Sequence, residues 1–276
     1  MTRQILLHIG SPKCGSTYLQ RVMLNNRDKL RVQGIEYPHN EGGHPGNAAE
    51  IAKLNEAGLN AMFANDAYTV VLSHEDLFSQ PPRGKSLAQL SRSQGIKLKA
   101  VVFLRPFSQF IYGDYSQFMK QRFHQFSAAR RAYDGRNFEE FAVKRSQDMP
   151  VAGWLKAWSD LTENSLVLAS HRDIRPVIES QLDLPSDMNW TVPATQTNRS
   201  LRVSDCEALA AALANHEIPA PELKEMFRSA FHKVDEPDAG RTQERDRWIE
   251  ALFLDRNKKL HELFGFDNRL DVSRPL

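Results

Sequence analysis

The chain is poor in cysteine. Cys14 and Cys206 are the only two among 276 residues and lie far apart, so neither a disulfide framework nor a thiolate zinc cluster can be built from them. It also lacks an excess of either charge, with 36 Lys and Arg against 34 Asp and Glu and a formal net charge of +2. A non-specific nucleic-acid binder needs a strongly basic face, so no nucleic-acid partner is expected, and any bound anion must be held by a focused local site. No apolar run approaches the roughly 20 residues of a membrane-spanning helix. The opening MTRQILLHIGSPK has neither the apolar stretch nor the small-residue cleavage site of a secretory signal, which makes reducing cytoplasm the expected location.

What is present describes an ordinary globular protein: 41% hydrophobic and 25% charged residues, with enough apolar content to form a core. Short β-prone apolar runs alternate with longer amphipathic stretches, the pattern of parallel strands joined by crossover helices. Strands are expected at residues 5–9, 68–72, 98–104 and 165–169, the second and third apolar enough to be buried on both faces. Helices are expected from Ser16 or Thr17 through Leu30, over 107–123 and 154–161, after an N-cap at Ser204 or Asp205, and over 245–264. Segments 38–46 and 187–200 read as loops. No repeat or clean linker divides the chain, so a single α/β domain spanning 1–276 is expected, with a central parallel sheet flanked by helices and a helical C-terminal part.

The segment HIGSPKCGSTYLQ follows the first strand. A strand, a Gly-bearing loop containing Lys and a helix opening on Ser-Thr make a phosphate site, because backbone N–H groups and a helix N-terminus converge on one anion. The consensus of kinases and NTPases wants Lys directly after the second Gly and Ser or Thr directly after that Lys. Here Gly15 is followed by Ser16, while Lys13 lies inside the loop and is followed by Cys14. A Lys so placed suits the bridging oxygen of a group leaving a 5′-phosphate.

The run Ser11-Pro12-Lys13-Cys14-Gly15-Ser16-Thr17 after a strand resembles the 5′-phosphosulfate loop of the sulfotransferases, which use 3′-phosphoadenosine 5′-phosphosulfate (PAPS). The family's second signature is a buried strand ending in Arg with a Ser eight residues on, together holding the 3′-phosphate. VVFLRPFSQFIYGDYSQF stands at the expected distance, with Arg105 in the family position but Gly113 where the Ser belongs, and Ser108 and Ser116 on either side. GIEYP, LSHEDLF, WLKAWSDL, TNRSL at 197–201 and LDRNKKLHELFG follow in the order of bacterial members, so the resemblance spans most of the chain. It implies a P-loop-like fold and metal-independent transfer from PAPS to a hydroxyl or amine acceptor, leaving 3′,5′-adenosine bisphosphate. The partners are then the nucleotide donor and an acceptor the sequence does not identify.

By resemblance, Lys13 stabilises the leaving phosphate, Ser16 and Thr17 hold the 5′-phosphate, Arg105 holds the 3′-phosphate, and Arg199 in the 187–200 loop reaches the cofactor. Transfer also needs a base to take the acceptor proton. His74 and Glu75 after the second strand, His44 in the Gly-rich loop and Glu36 after the first helix are the candidates. Each has a plainer role: Glu75 and Asp76 as helix caps, His74 as a surface residue, His44 at a loop tip, Glu36 paired with Arg31. Trp154 and Trp158 are expected in the core, and the basic run from Lys120 to Arg136 as a solvated face. A nucleotide kinase or NTPase, or a non-catalytic nucleotide-binding relative, are the competing functions.

Overall fold

In the computed structural model the described residues are 2–40, 43–185, 187–194 and 199–270. Chain order is β1 (Gln4–Ile9), α1 (Ser16–Asn25), α2 (Arg27–Val32), β2 (Ile35–Glu36), α3 (Glu56–Met62), β3 (Thr69–His74), α4 (Lys85–Ser93), β4 (Lys97–Leu104), α5 (Phe107–Ala129), α6 (Phe138–Asp148), α7 (Val151–Leu161), β5 (Leu166–Ser170), α8 (Ile174–Gln181), α9 (Val203–Ala214), α10 (Ala220–His232), α11 (Gln243–Leu252) and α12 (Leu254–Phe264). Among the described residues the strands form one all-parallel sheet in the order β2-β3-β1-β4-β5. The protein is α/β with helices flanking a central parallel sheet, as the alternation of apolar runs predicts. Among the described residues no helix is long and apolar enough to cross a membrane.

β1 lies in the middle of the sheet, between β3 and β4, with Ile5, Leu6, Leu7 and Ile9 almost wholly buried, as a strand covered on both faces requires. Successive strands are laid down on one side of it and then, from β4, on the other. The direction of strand order therefore reverses at β1, and in open α/β sheets the crevice at the carboxyl ends beside such a reversal is where ligands bind.

The described residues pack as two compact units. The first takes those of Met1–Arg105, Val151–Thr197 and Lys259–Phe266, and the second those of Pro106–Pro150, Asn198–Lys258 and Asp267–Leu276. The boundary falls at Arg105, where the chain leaves β4 for α5. In the first unit, Leu6, Val71, Val101 and Phe103 from the sheet pack with Leu19, Met23, Ile178 and Trp190. Trp158 is a core residue there, its indole N–H donating to Leu77 C=O at 3.0 Å, and Trp154 packs edge-on against Phe78. In the second unit α5 carries a row of buried aromatics, with Tyr115 stacked on Tyr133 and Phe123 on Phe227.

Several element ends differ from expectation, each for a local reason. The first helix breaks before Leu30 because the Asn26 amide donates to Val22 C=O at 2.7 Å and to Thr191 C=O at 2.9 Å, pinning a non-helical residue between α1 and α2. α9 starts at Val203, so neither Ser204 nor Asp205 is its N-cap; the distant Asp238 carboxylate accepts from the N–H groups of Val203 and Ser204 instead. The expected 245–264 helix is two: Thr242 caps α11 through Arg245 N–H, and buried Phe253, stacked on Phe107, separates α11 from α12. α5 runs on to Ala129, ending where Arg130 adopts a left-handed conformation and donates to Ile218 C=O. The two-residue β2 was too short to show a period in the sequence.

Candidate functional site

The loop from Gly10 to Gly15 leaves the carboxyl end of β1. Gly10 N–H donates to His74 C=O at 3.2 Å, tying the start of the loop to the end of β3. A Cβ on Gly10 would stand 2.5 Å from Ser16 Oγ and 2.8 Å from Glu75 Cα, so glycine is required by close approach. Lys13 (φ +61°) and Gly15 (φ +89°) are both left-handed, and Cys14 N–H closes a turn onto Ser11 C=O at 3.3 Å. Left-handed residues on either side of Cys14 give the loop the kind of backbone alternation from which anion-binding nests are built.

α1 then starts at Ser16 with Gly15 as its N-cap and no side-chain cap hydrogen bond. Ser16 is buried and its hydroxyl has no partner. A buried hydroxyl beside uncapped helix N–H groups is a costly arrangement unless a ligand completes it. Thr17 and Lys13 are half-buried, Pro12 is exposed, and Ser11 and Cys14 are buried. Burial raises the Cys14 thiol above its usual range, with the charge of Arg105 opposing it, so Cys14 is a neutral packing residue. Arg105 follows the last residue of β4, the strand beside β1. The next strand brings His171 to the same edge, its N–H donating to Leu104 C=O at 2.8 Å. Burial, and then the charge of Arg105, lowers the His171 pKa to about 4, and its Nδ1 is buried without a partner. The helix start without a side-chain cap, the Ser16 hydroxyl without a partner, Lys13 and Arg105 are donor and cationic groups of the kind that hold an oxyanion.

The base candidates gather at the carboxyl end of β3, with one exception. His74 Nδ1 accepts Asp76 N–H at 3.2 Å, so the neutral ring carries its proton on Nε2. Burial is the main cause that lowers its pKa. Glu75 is held from two sides: Oε1 lies 2.9 Å from His44 Nε2, and Oε2 accepts from Gln20 Nε2 at 3.1 Å. Burial alone would raise its carboxyl, but the Gln20 hydrogen bond, its own backbone N–H and the neighbouring histidines outweigh that and hold it below the usual range. Its side chain keeps 30% of its surface exposed. His44 Nδ1 accepts Gly46 N–H at 3.0 Å, which puts the ring proton on Nε2 facing Glu75. Both ring nitrogens of His44 are thereby engaged.

Glu36 stands apart on β2. It is buried and bound by Arg31 at 2.9 and 3.1 Å and by Arg27 at 3.6 Å. Burial works to raise its carboxyl, and the two guanidiniums overcome it and keep it low. The ion pair with Arg31 is thus its role.

The remaining expected residues lie in the second unit. Gly113 is a buried position within α5. Ser116 Oγ accepts Leu201 N–H at 2.7 Å, while buried Ser108 Oγ has no partner and its N–H donates to Glu250 at 2.9 Å. Arg199 pairs with Asp235, and its C=O accepts from Lys120 at 2.8 Å. Residues 197 and 198 of the TNRSL segment lie outside the described residues, as do 41 and 42 of the Gly-rich loop.

Sequence reasoning missed Gln20 and His171. The first sits one turn after Ser16 on the same helix face and the second directly follows the run SLVLAS; both spacings were readable once the strand order was known. Compared with models of known protein families and with curated proteins, the chain matches none.

Proposed function

We propose that the protein is a sulfotransferase that moves a sulfuryl group from PAPS to a hydroxyl or amine acceptor, without a metal requirement. The observation that carries this reading is the loop itself: a nest that places Lys13 within the turn, opens α1 without a side-chain cap and leaves Ser16 Oγ buried without a partner. A lysine inside the loop, with Cys14 where a magnesium-binding Ser or Thr would follow it, speaks against a kinase-type site.

Bound there, PAPS would supply an activated sulfuryl group on a phosphosulfate anhydride. The loop N–H groups, the start of α1, Ser16 and Thr17 would hold the 5′-phosphate, and Arg105 the 3′-phosphate with its forked donors. Lys13 would meet the negative charge that grows on the leaving phosphate oxygen. Glu75 is the base: its carboxyl is held ionised near neutral pH, and each oxygen keeps a lone pair beyond its bonds to His44 and Gln20. His74 is the poorer base, because its free nitrogen, Nε2, already carries the ring proton.

The test is release of 3′,5′-adenosine bisphosphate from PAPS, followed by chromatography over a panel of carbohydrate, lipid, phenol and amine acceptors. Acceptor-dependent release by the wild type, lost in Lys13→Ala and Glu75→Gln, is the expected result. Release that survives Lys13→Ala, or no release with any acceptor, contradicts the reading.

A further inference from the structure

Gln20 is wholly buried, an unusual place for an amide, and it uses both of its N–H donors. One goes to Ser73 Oγ at 3.2 Å and the other to Glu75 Oε2 at 3.1 Å. We propose that Gln20 is the positioning residue for Glu75, with His44 as the opposing arm, so that the helix whose start forms the phosphate nest also sets where the base carboxylate stands. This rests on the reading of Glu75 as the base.

Three features carry it. First, the orientation of the amide is fixed by its partners, since turning it over would set a carbonyl oxygen against the Glu75 carboxylate. Ser73 Oγ, which accepts from Gln20, also lies 2.8 Å from Nδ1 of fully buried His8, which burial keeps neutral. Second, this orientation leaves Gln20 Oε1 buried without a partner. An apolar side chain of the same size would avoid that penalty but would take the amide donor from Ser73 Oγ and Glu75 Oε2, so what the amide supplies here is those two contacts. Third, Gln20 lies one helical turn beyond Ser16, on the same face of α1. A shift of α1 on filling the nest is thereby passed to the base through one side chain. Ionisable groups that act on Glu75 or feel its charge include His44, His74, His8 and Tyr37. None of them touches Oε2 with a hydrogen bond, so removal of Gln20 changes the one oxygen that His44 does not hold.

The experiment is a carbon-13 NMR titration of glutamate side-chain carboxyls in wild type and Gln20→Met, with the Glu75 signal assigned by its loss in Glu75→Gln. Thermal melting and calorimetry with 3′,5′-adenosine bisphosphate are run alongside. Gln20→Met is expected to remain folded and to move the Glu75 midpoint upward. An unmoved midpoint in a folded Gln20→Met variant overturns the proposal. Should that variant not fold, the side-chain amide resonances of Gln20 in the wild type decide: they are expected to follow the Glu75 titration and to stop doing so in Glu75→Gln, and indifference to pH overturns it. Failure of wild-type protein to bind the bisphosphate counts against the sulfotransferase reading and leaves the Gln20–Glu75 coupling to be judged by the titration.

Discussion

The hydroxyl of Ser16 stands 2.5 Å from the place a Cβ on Gly10 would occupy, and Glu75 Cα lies 2.8 Å from the same point. The first glycine of the loop is therefore where the start of α1 and Glu75, the proposed base, approach each other through bare backbone. Gly10→Ala should push Ser16 and Glu75 apart and destabilise the fold by about 1–3 kcal/mol, the usual cost of overpacking. Thermal melting reads the stability, and calorimetry should show weaker bisphosphate binding. A variant with unchanged melting and affinity would mean that the loop has room the structure does not provide.

Arg105 and His171 share one edge of the sheet, and the charge of Arg105 adds to burial in lowering the His171 pKa to about 4. If Arg105 grips the 3′-phosphate, an incoming dianion offsets that charge, and the His171 midpoint in proton NMR should rise when 3′,5′-adenosine bisphosphate is added. A midpoint indifferent to saturating bisphosphate removes Arg105 from the phosphate site.

His8 gives a prediction about stability. It is fully buried, its pKa lowered from 6.5 to about 4 chiefly by desolvation. Between those values the unfolded chain binds a proton that the folded one refuses, so stability falls as pH drops from about 6.5 toward 4, by about 3 kcal/mol at most. Denaturant unfolding at a series of pH values should show this loss in the wild type and a smaller slope in His8→Gln. Equal slopes would assign the acid sensitivity to other groups.

Ser108 and Ser116, three and eleven residues after Arg105, separate by what their hydroxyls do. Ser116 satisfies Leu201 N–H at 2.7 Å, whereas Ser108 Oγ is buried with no partner. Ser116→Ala should cost about 1–3 kcal/mol by leaving a buried donor unsatisfied, while Ser108→Ala should be close to neutral. Matched urea titrations compare them, and equal losses would contradict the assignment.

The parallel sheet was legible because its strands are apolar runs of five to eight residues bounded by loops, and β1, β3, β4 and β5 all fall on such runs. The loop between β1 and a helix opening at Ser16 was legible because glycine, lysine and a Ser-Thr helix start are local features with local causes. What escaped were long-range pairings. Asp238 capping α9, Asn26 reaching Thr191 and Gln20 reaching Glu75 join residues 34 to 165 positions apart, which no periodicity encodes. The pairing of Glu36 with Arg31, five residues apart, was legible in the sequence. What holds Glu75 was not, because His44 and Gln20 reach it from 31 and 55 positions away.

Loss of either cation from the proposed donor site should be graded. Arg105→Ala removes a charge-assisted forked contact and should weaken bisphosphate binding by about 30-fold or more, equivalent to about 2 kcal/mol. Lys13→Ala should reduce sulfuryl transfer more than it reduces bisphosphate affinity, because the lysine serves charge that develops in the transition state. Calorimetry beside initial rates separates the two, and a Lys13→Ala loss confined to affinity would make the lysine a plain binding residue.

Calorimetry on the wild-type protein tests the central claim most directly, comparing 3′,5′-adenosine bisphosphate without magnesium against ATP with magnesium. Binding of the bisphosphate without the metal, and weaker binding of ATP with it, is the predicted result. Tight binding of ATP with magnesium and none of the bisphosphate would contradict it and return the loop after β1 to the kinases and NTPases.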